Sequence, residues 1–320
     1  MKIVVLDACI NGSLDILNFE PLRQYGEVTI YEMTKNEEVE QRIHDADCIF
    51  TCRALISRTI MEHCPNLKYI GVLATGYNVV DVIAAKEHNI LVSNVPSYST
   101  DSVAEFTLAM MLEICHHIGA HSDSVKNGEW TREKGLCYWN YPLFDLKNKT
   151  LGLIGFGAIA QKVAKLATAF GMNILVYNRT IYHELEQDTL HFADLETVLK
   201  SSDFISLHCP LTPETKEMIN EHTLSIMKDG AYLINTARGG LIVESHVQSA
   251  LVHGKLGCYA TDTITLEPIS SDNPLRKAPN VLITPHIAWA SKETLEHFME
   301  LVLHNFTSYM EGNPINIVHL

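Results

Sequence analysis

The chain is expected to fold as an α/β protein made of two doubly wound, Rossmann- or flavodoxin-like parallel-sheet domains, joined by two long helices with a cleft between them. Three observations carry this expectation. At 320 residues the chain has the length of about two domains. Short, near-continuous apolar segments alternate with helical stretches, as parallel strands covered on both faces require. Residues 151–160 read as an apolar strand (Leu151, Gly152, Leu153, Ile154), a glycine turn and the start of a helix carrying Val163, Leu166, Ala167 and Phe170. That is the opening unit of a dinucleotide-binding domain.

The first domain draws on residues 1–99, with strands at 2–6, 28–31, 48–52, 69–74 and 90–94 and helices at 37–44, 58–64 and 80–88. A long helix then runs from Asp101 to about His121. Thr100 or Asp101 can cap it, and Ala104, Leu108, Met111, Leu112 and Cys115 form its apolar stripe. Residues 127–146 are irregular and hold Trp130, Tyr138, Trp139 and Tyr141. They read either as an arm that packs on a partner subunit or as a surface loop whose aromatics cover their own domain. Residues 100–289 form the dinucleotide-binding domain, with strands at 151–154, 174–177, 204–207, 232–235, 257–261 and 281–283. Its clearest later helices are 196–200, 225–227 and 245–252. A final helix, 292–310, is long enough to reach back, so residues 290–320 complete a discontinuous substrate-binding domain.

Hydrophobic residues make up 47% of the chain and charged residues 19%, the balance of a globular protein with a large core. A net charge of −14 argues against nucleic acid or an anionic membrane as partner. It leaves an anionic substrate open, because one arginine in a cleft can dominate locally. No apolar run approaches the ~20 residues of a membrane span, and the first residues read as a strand and not as a signal peptide. The eight cysteines have no paired spacing. Cys48 and Cys52 on one strand face suit buried thiols, so the expected compartment is the reducing cytoplasm. His117 and His121 stand four apart on the long helix without a third ligand in metal-motif spacing, and no metal is expected.

Gly155 permits the tight turn, Gly157 lets the backbone approach a pyrophosphate, and Ala160 stands where a third glycine is usual. The helix N-terminus adds free N–H groups and a positive dipole end. Strand 174–177 ends in Asn178, Arg179 and Thr180, where binders of NAD place an acidic residue on the adenosine ribose. Uncharged Asn178 does not repel a 2′-phosphate, and Arg179 and Thr180 can contact one. The balance favours NADP; the alternative is NAD with Asn178 on its ribose. Arg238 follows strand 232–235, Glu267 lies beyond strand 257–261, and His286 lies just past strand 281–283. Three strand ends thus deliver a guanidinium, a carboxylate and an imidazole to one sheet edge. Each alone has a plain structural explanation. Together they suit reduction of a 2-oxo acid: an imidazolium backed by a carboxylate supplies a proton while the guanidinium orients and polarises the carbonyl.

These residues together resemble the D-2-hydroxyacid dehydrogenase family, over nearly the whole chain. Gly155, Phe156, Gly157, Ala158, Ile159 and Ala160 look like its cofactor turn, and residues 208–212, with Cys209 and Pro210, like the strand end on the adenosine side. Asn235, Thr236, Ala237, Arg238, Gly239 and Gly240 match its arginine motif, residues 262–268 its aspartate-to-glutamate segment, and Thr284, Pro285 and His286 its histidine motif. The resemblance implies Arg238 for substrate binding, His286 as acid/base, Glu267 as its partner and Asp262 on the nicotinamide carboxamide. It implies that Ala74, Thr75 and Gly76 take the substrate carboxylate with their amides, and that Val103 opens the linking helix beside the cofactor. Arg53 either meets the far end of the substrate or is solvated.

Asn178 departs from the family's usual aspartate, and residues 262–265 lack the valine and phenylalanine common there, so cofactor preference and pocket shape depart with them. Residues 73–81 and 285–290 look most like the glycerate dehydrogenase and hydroxypyruvate reductase branch. Long phosphoglycerate dehydrogenases of the family carry a C-terminal regulatory domain that this sequence is not expected to have. The resemblance implies a cytoplasmic, homodimeric, NAD- or NADP-dependent enzyme that reduces hydroxypyruvate or glyoxylate and oxidises D-glycerate or a related D-2-hydroxy acid. The family also includes nucleotide-sensing corepressors with little turnover, and that reading stays open.

Overall fold

The computed structural model describes residues 1–8 and 17–318. The chain divides into two compact units, Met1–Ser99 with Ala290–Leu320, and Thr100–Trp289. In chain order the strands are β1 (Lys2–Val5), β2 (Glu27–Ile30), β3 (Cys48–Thr51), β4 (Tyr69–Val72), β5 (Leu91–Ser93), β6 (Thr150–Ile154), β7 (Asn173–Tyr177), β8 (Leu190–Phe192), β9 (Phe204–Leu207), β10 (Ala231–Asn235), β11 (Leu256–Thr261) and β12 (Val281–Ile283). The helices are α1 (Val39–Ile43), α2 (Arg58–Glu62), α3 (Val82–Glu87), α4 (Thr100–His116), α5 (Ile118–Lys126), α6 (Ala158–Ala169), α7 (Leu195–Ser201), α8 (Glu221–Ile226), α9 (Glu244–Val252) and α10 (Lys292–Met310). No helix among the described residues is long and apolar enough to cross a membrane.

In the first unit the strands pair in parallel in the order β2-β1-β3-β4-β5. The direction of winding reverses at β1, which pairs with both β2 and β3, and ligands bind in such sheets at the carboxyl ends beside that reversal. β3 and β4 are buried along their whole length. Gly71 makes room there, since a Cβ on it would lie 2.5 Å from the Phe50 ring. Phe306 of α10 is fully buried and meets Phe50, Tyr69 and Tyr25 edge-on at centroid distances of 5.5, 5.3 and 5.4 Å. Such contacts add about 0.5–1.5 kcal/mol each beyond area burial, so α10 completes this core. Asn305 Nδ2 donates to the Asn94 carbonyl at 2.9 Å and ties the same helix to the end of β5.

In the second unit seven parallel strands run in the order β12-β11-β10-β9-β6-β7-β8, with the reversal between β6 and β9. Leu151 and Leu153 pack one face of β6 against Ala160, Val163 and Ala167 of α6 and Met111 and Cys115 of α4. On the other side Ile205, Leu207, Leu233, Leu199 and Leu224 close a second core. Gly152 lets α7 sit directly on β6, because a Cβ there would lie 2.4 Å from Ser202 Oγ.

Three expectations need correction. The long helix predicted to reach His121 stops at His116: His117 adopts a left-handed φ of 47°, and α5 starts at Ile118. His117 and His121 therefore do not share one helix, and His121 Nδ1 instead lies 2.8 Å from the His117 carbonyl. α8 begins before the predicted 225–227, because Asn220 Oδ1 accepts from the His222 and Thr223 amides at 3.1 and 3.3 Å. The sequence gives no sign of β8, a three-residue edge strand.

Residues 127–146 are irregular apart from a 3-10 turn at Arg132–Lys134. Phe144 stacks on Tyr232 at 5.2 Å, Tyr141 on His117 at 4.6 Å, and Tyr138 bonds Ser124 at 2.7 Å, so these rings cover their own unit. Trp130, Leu136, Trp139 and Leu143 are exposed, Leu136 at 95%. Cys48 is buried and its thiol is pushed up to about 12 by that burial. Cys52, half-buried, is also raised chiefly by burial.

Candidate active site

The glycine turn follows from two hard contacts. Gly155 has φ 93°, and a Cβ on it would lie 2.7 Å from the Cys209 nitrogen and from the His208 carbonyl carbon. Only glycine lets β6 turn against the end of β9. Asn178 then pins the turn: its Oδ1 accepts from the Phe156 amide at 3.2 Å and its Nδ2 donates to the Thr180 carbonyl at 2.7 Å. Gly157 caps α6 without a side-chain bond, and no atom lies within 4 Å of where its Cβ would be. Gly157 and Ala158 are exposed, Ile159 packs against the core and Ala160 is buried. A helix N-terminus with unused amides and open space before it fits a dinucleotide pyrophosphate.

Around this turn, Arg179 and Thr180 are exposed. Glu214 is held below the usual carboxylate range, first by the Thr212 hydroxyl and also by the Arg179 charge, so Arg179 faces the loop that follows β9. Burial pushes the half-buried Cys209 thiol up to about 11, and the Pro210 carbonyl accepts from Thr215 Oγ1 at 2.6 Å. Thr236 Oγ1 lies 3.1 Å from Thr107 Oγ1, which itself donates to the Val103 carbonyl at 2.8 Å. The first turns of α4 thus pack on the end of β10. Ala237, next along that strand end, donates its amide to Asn235 Oδ1 at 3.0 Å.

The side chains of Arg238, Glu267 and His286 belong to one neighbourhood. His286 Nδ1 donates to Glu267 Oε2 at 2.7 Å, which leaves Nε2 without a partner among the described residues. Glu267 Oε1 accepts from the Ile264 amide at 3.2 Å. Partial burial raises the Glu267 carboxyl, but the His286 bond and charge, the Ile264 amide and the Arg238 guanidinium outweigh it, and the net shift is downward. Arg238 is exposed, with one bond from Nη1 to the Ala237 carbonyl at 2.7 Å. Its loop is held by buried Asn235, whose Nδ2 donates to the Arg238 carbonyl at 2.9 Å. Gly239 presses that loop onto the Glu267 segment so closely that a Cβ would lie 1.9 Å from the Ile264 carbonyl carbon.

Asp262 is 1% exposed, and its oxygens are largely spent within the protein. Oδ1 accepts from Thr284 Oγ1 at 2.6 Å and from the Ile287 amide at 2.9 Å, and Oδ2 from the Ala288 amide at 2.8 Å. These bonds flank His286, so the observed contacts of Asp262 fix the histidine loop. Oδ2, with a single bond, keeps a lone pair for another donor.

In the first unit the register Thr51↔Val72 carries β3 and β4 to adjacent loop starts, so Arg53 and Ala74 leave the sheet side by side. The amides of Ala74, Thr75 and Gly76 have no acceptor among the described residues; Thr75 Oγ1 donates to the Val95 carbonyl at 2.9 Å and steadies them. Arg53 is exposed, with its backbone anchored by a residue the sequence reading missed. Asp7, buried just past β1, accepts through Oδ2 from the Cys52, Arg53 and Ala54 amides at 3.1, 3.0 and 3.1 Å. An aspartate directly after an apolar strand is the signal that could have found it.

The family model described as "D-isomer specific 2-hydroxyacid dehydrogenase, NAD binding domain" matches residues 108–288. The chain is 44% identical to a hydroxypyruvate reductase of Blautia hydrogenotrophica, with 100% of each chain covered. It is 38% identical to a glycerate dehydrogenase of Methylorubrum extorquens, covering 99% of this chain and 98% of the other. Among solved structures, an acyclic imino acid reductase (Bsp5) in complex with NADPH and D-arginine matches with a TM-score of 0.86 at 30% identity, 100% of each chain being covered. None of these is a corepressor. The chain belongs to the D-isomer specific 2-hydroxyacid dehydrogenase family and is a nicotinamide-dependent oxidoreductase of small 2-hydroxy and 2-oxo acids.

Proposed function

We propose that the protein reduces hydroxypyruvate, and glyoxylate as a smaller substrate, with NADPH preferred over NADH, and oxidises D-glycerate in the reverse direction. The observation that carries this reading is the 2.7 Å bond between His286 Nδ1 and Glu267, with Nε2 left without a partner among the described residues and the Arg238 charge acting on the same Glu267 carboxylate. When bound, the reduced nicotinamide supplies the hydride. As charge grows on the substrate's carbonyl oxygen, His286 gives up the proton on Nε2 to it. Glu267 holds the ring and stabilises its protonated form. Arg238 offers its planar fork to the carbonyl oxygen and the carboxylate. The amides of Ala74, Thr75 and Gly76 take the substrate carboxylate, and Arg53 its far end.

Gly155, Phe156, Gly157, Ala158 and Ile159 would hold the pyrophosphate, with Cys209 and Pro210 on the adenosine side. Val103, Thr236 and Ala237 line the nicotinamide side, where the remaining lone pair of Asp262 would take the carboxamide. Asn178 carries no charge to oppose a 2′-phosphate, and exposed Arg179 and Thr180 can meet one; the imino acid reductase with NADPH supports the same preference. Hydroxypyruvate and D-glycerate come from the two relatives' names. The exposed apolar side chains of residues 130–143 support a homodimer built through this arm, and the free cysteines suit a cytoplasmic setting.

The deciding experiment is a panel of hydroxypyruvate, glyoxylate and pyruvate, each with NADH and NADPH, followed by loss of cofactor absorbance. Turnover should be fastest with hydroxypyruvate and NADPH, and Arg179→Ala should penalise NADPH far more than NADH. Tight cofactor binding with negligible turnover would overturn the enzymatic assignment, and equal losses with both cofactors would overturn the NADPH preference.

A further inference from the structure

We infer that Glu244 is a positioning residue for the acid/base pair: it clamps the loop that presents Glu267 to His286. The inference rests on reading Glu267 and His286 as that pair. Glu244 is the first residue of α9. Its Oε1 accepts from the Thr265 amide at 2.8 Å, and its Oε2 accepts from Asn273 Nδ2 at 2.7 Å. Asn273 is buried, and its Oδ1 accepts from the Leu275 amide at 2.9 Å, which settles which end of its side chain is the donor. One carboxylate therefore grips the 262–273 loop on both sides of Glu267.

The other side of the loop is held by Gly239, whose contact with Ile264 admits no Cβ. Between these two holds, Glu267 spends Oε1 on the Ile264 amide at 3.2 Å and has Oε2 free for His286 at 2.7 Å. The line of force runs from α9 through Thr265 and Ile264 to Glu267 and the imidazole. Glu244 bonds Thr265 and Asn273 and makes no bond to His286 among the described residues.

The chemistry of the clamp requires a carboxylate. Two donors approach two oxygens, and charge-assisted bonds of this kind are about twice as strong as neutral ones. A glutamine keeps one acceptor and turns an NH2 towards one of the two donors, so it preserves half the grip. The position at a helix N-terminus also favours a negative charge. With the clamp released, Glu267 loses its fixed distance to Nδ1, and the protonated imidazole loses its stabilising partner.

The test uses the full-length enzyme and its Glu244→Gln and Glu244→Ala variants, with kcat and KM for hydroxypyruvate reduction measured across pH alongside thermal melts. The alkaline limb of the kcat profile should move to lower pH by about half a unit or more, with kcat down by roughly 3- to 30-fold and KM within about threefold. Alanine should exceed glutamine in every respect. Asn273→Ala removes one of the two bonds, leaves Glu244 in place, and should move the limb in the same sense if Glu244→Ala does not fold. A merely structural role would lower the melting temperature and leave the limb where it was; profiles superimposable on wild type in Glu244→Gln and Asn273→Ala overturn the clamp. A His286→Ala enzyme that kept its rate would instead overturn the acid/base reading, and the clamp with it.

Discussion

His286 has φ 58°, a left-handed conformation that costs a non-glycine residue on the order of 1–3 kcal/mol. Asp262 maintains it by bonding Thr284 on one side and Ile287 and Ala288 on the other, while Trp289 Nε1 donates to the His286 carbonyl at 2.9 Å. The backbone is held in a costly shape at the residue proposed above to carry the proton-donating ring. His286→Ala should lower kcat by about two orders of magnitude or more with cofactor affinity unchanged; steady-state rates and a cofactor titration check it, and a near-normal rate would remove the imidazole from proton transfer.

His208 is perturbed by its surroundings. It is half-buried at the end of β9, with Nε2 2.9 Å from Ser206 Oγ, and this desolvation pulls it from 6.5 down to about 4. Below 6.5 the unfolded chain takes up a proton that the folded one refuses. Stability is therefore whole above that pH and falls by roughly 1.4 kcal/mol per unit as pH drops towards about 4. The lowered Glu267 carboxyl acts in a more acidic window: what it contributes is present above 4.5 and lost as pH falls through its own lower value. Thermal melts between pH 7 and 4 should show the His208 slope, and His208→Gln should flatten it. A slope that survives that change belongs to another group.

At the scale of elements, close approach between loops decides more than propensity does. Gly239→Ala would drive a Cβ into the Ile264 backbone, which cannot step aside as a flexible side chain can. It should cost about 1–3 kcal/mol or more in melts and displace Glu267, lowering kcat as well. Gly157→Ala meets nothing within 4 Å, so the melt should hold while cofactor affinity falls. Affinity lost through Gly155→Ala alone, with Gly157→Ala silent, would move the phosphate contact elsewhere.

The strands are legible in sequence because most are apolar runs buried on both faces, as Cys48–Thr51 and Phe204–Leu207 are. β8 escapes because Leu190, His191 and Phe192 are only three residues, and only Leu190 is buried. The break at His117 escapes because the left-handed residue is itself a histidine, and Gly119, two positions on, lies inside the next helix and not at the break. Sequence places Arg238, Glu267 and His286 after strands; the 2.7 Å bond and the Gly239 contact depend on loops distant in the chain. The bonds of Asp262 to the Ile287 and Ala288 amides are hidden for the same reason: these partners become its neighbours only in the folded chain.

At the scale of the whole molecule, Trp130, Leu136, Trp139 and Leu143 concentrate exposed apolar area on one irregular arm, while the chain carries a net charge of −14. An exposed apolar patch of this kind suits association against the repulsion of like-charged surfaces. The homodimer proposed through this arm predicts that Leu136→Glu combined with Trp139→Glu shifts sedimentation from dimer to monomer; a monomeric wild type, or a dimer left undisturbed, overturns it.

The first unit is closed by Phe306 of α10, yet its five strands lie at the other end of the chain. On the ribosome, β1 to β5 emerge with the ring face of Phe50 and Tyr69 bare, and it stays bare until the entire nucleotide unit has been synthesised. Throughout that interval the nascent chain offers an aromatic surface of the kind that chaperones shield.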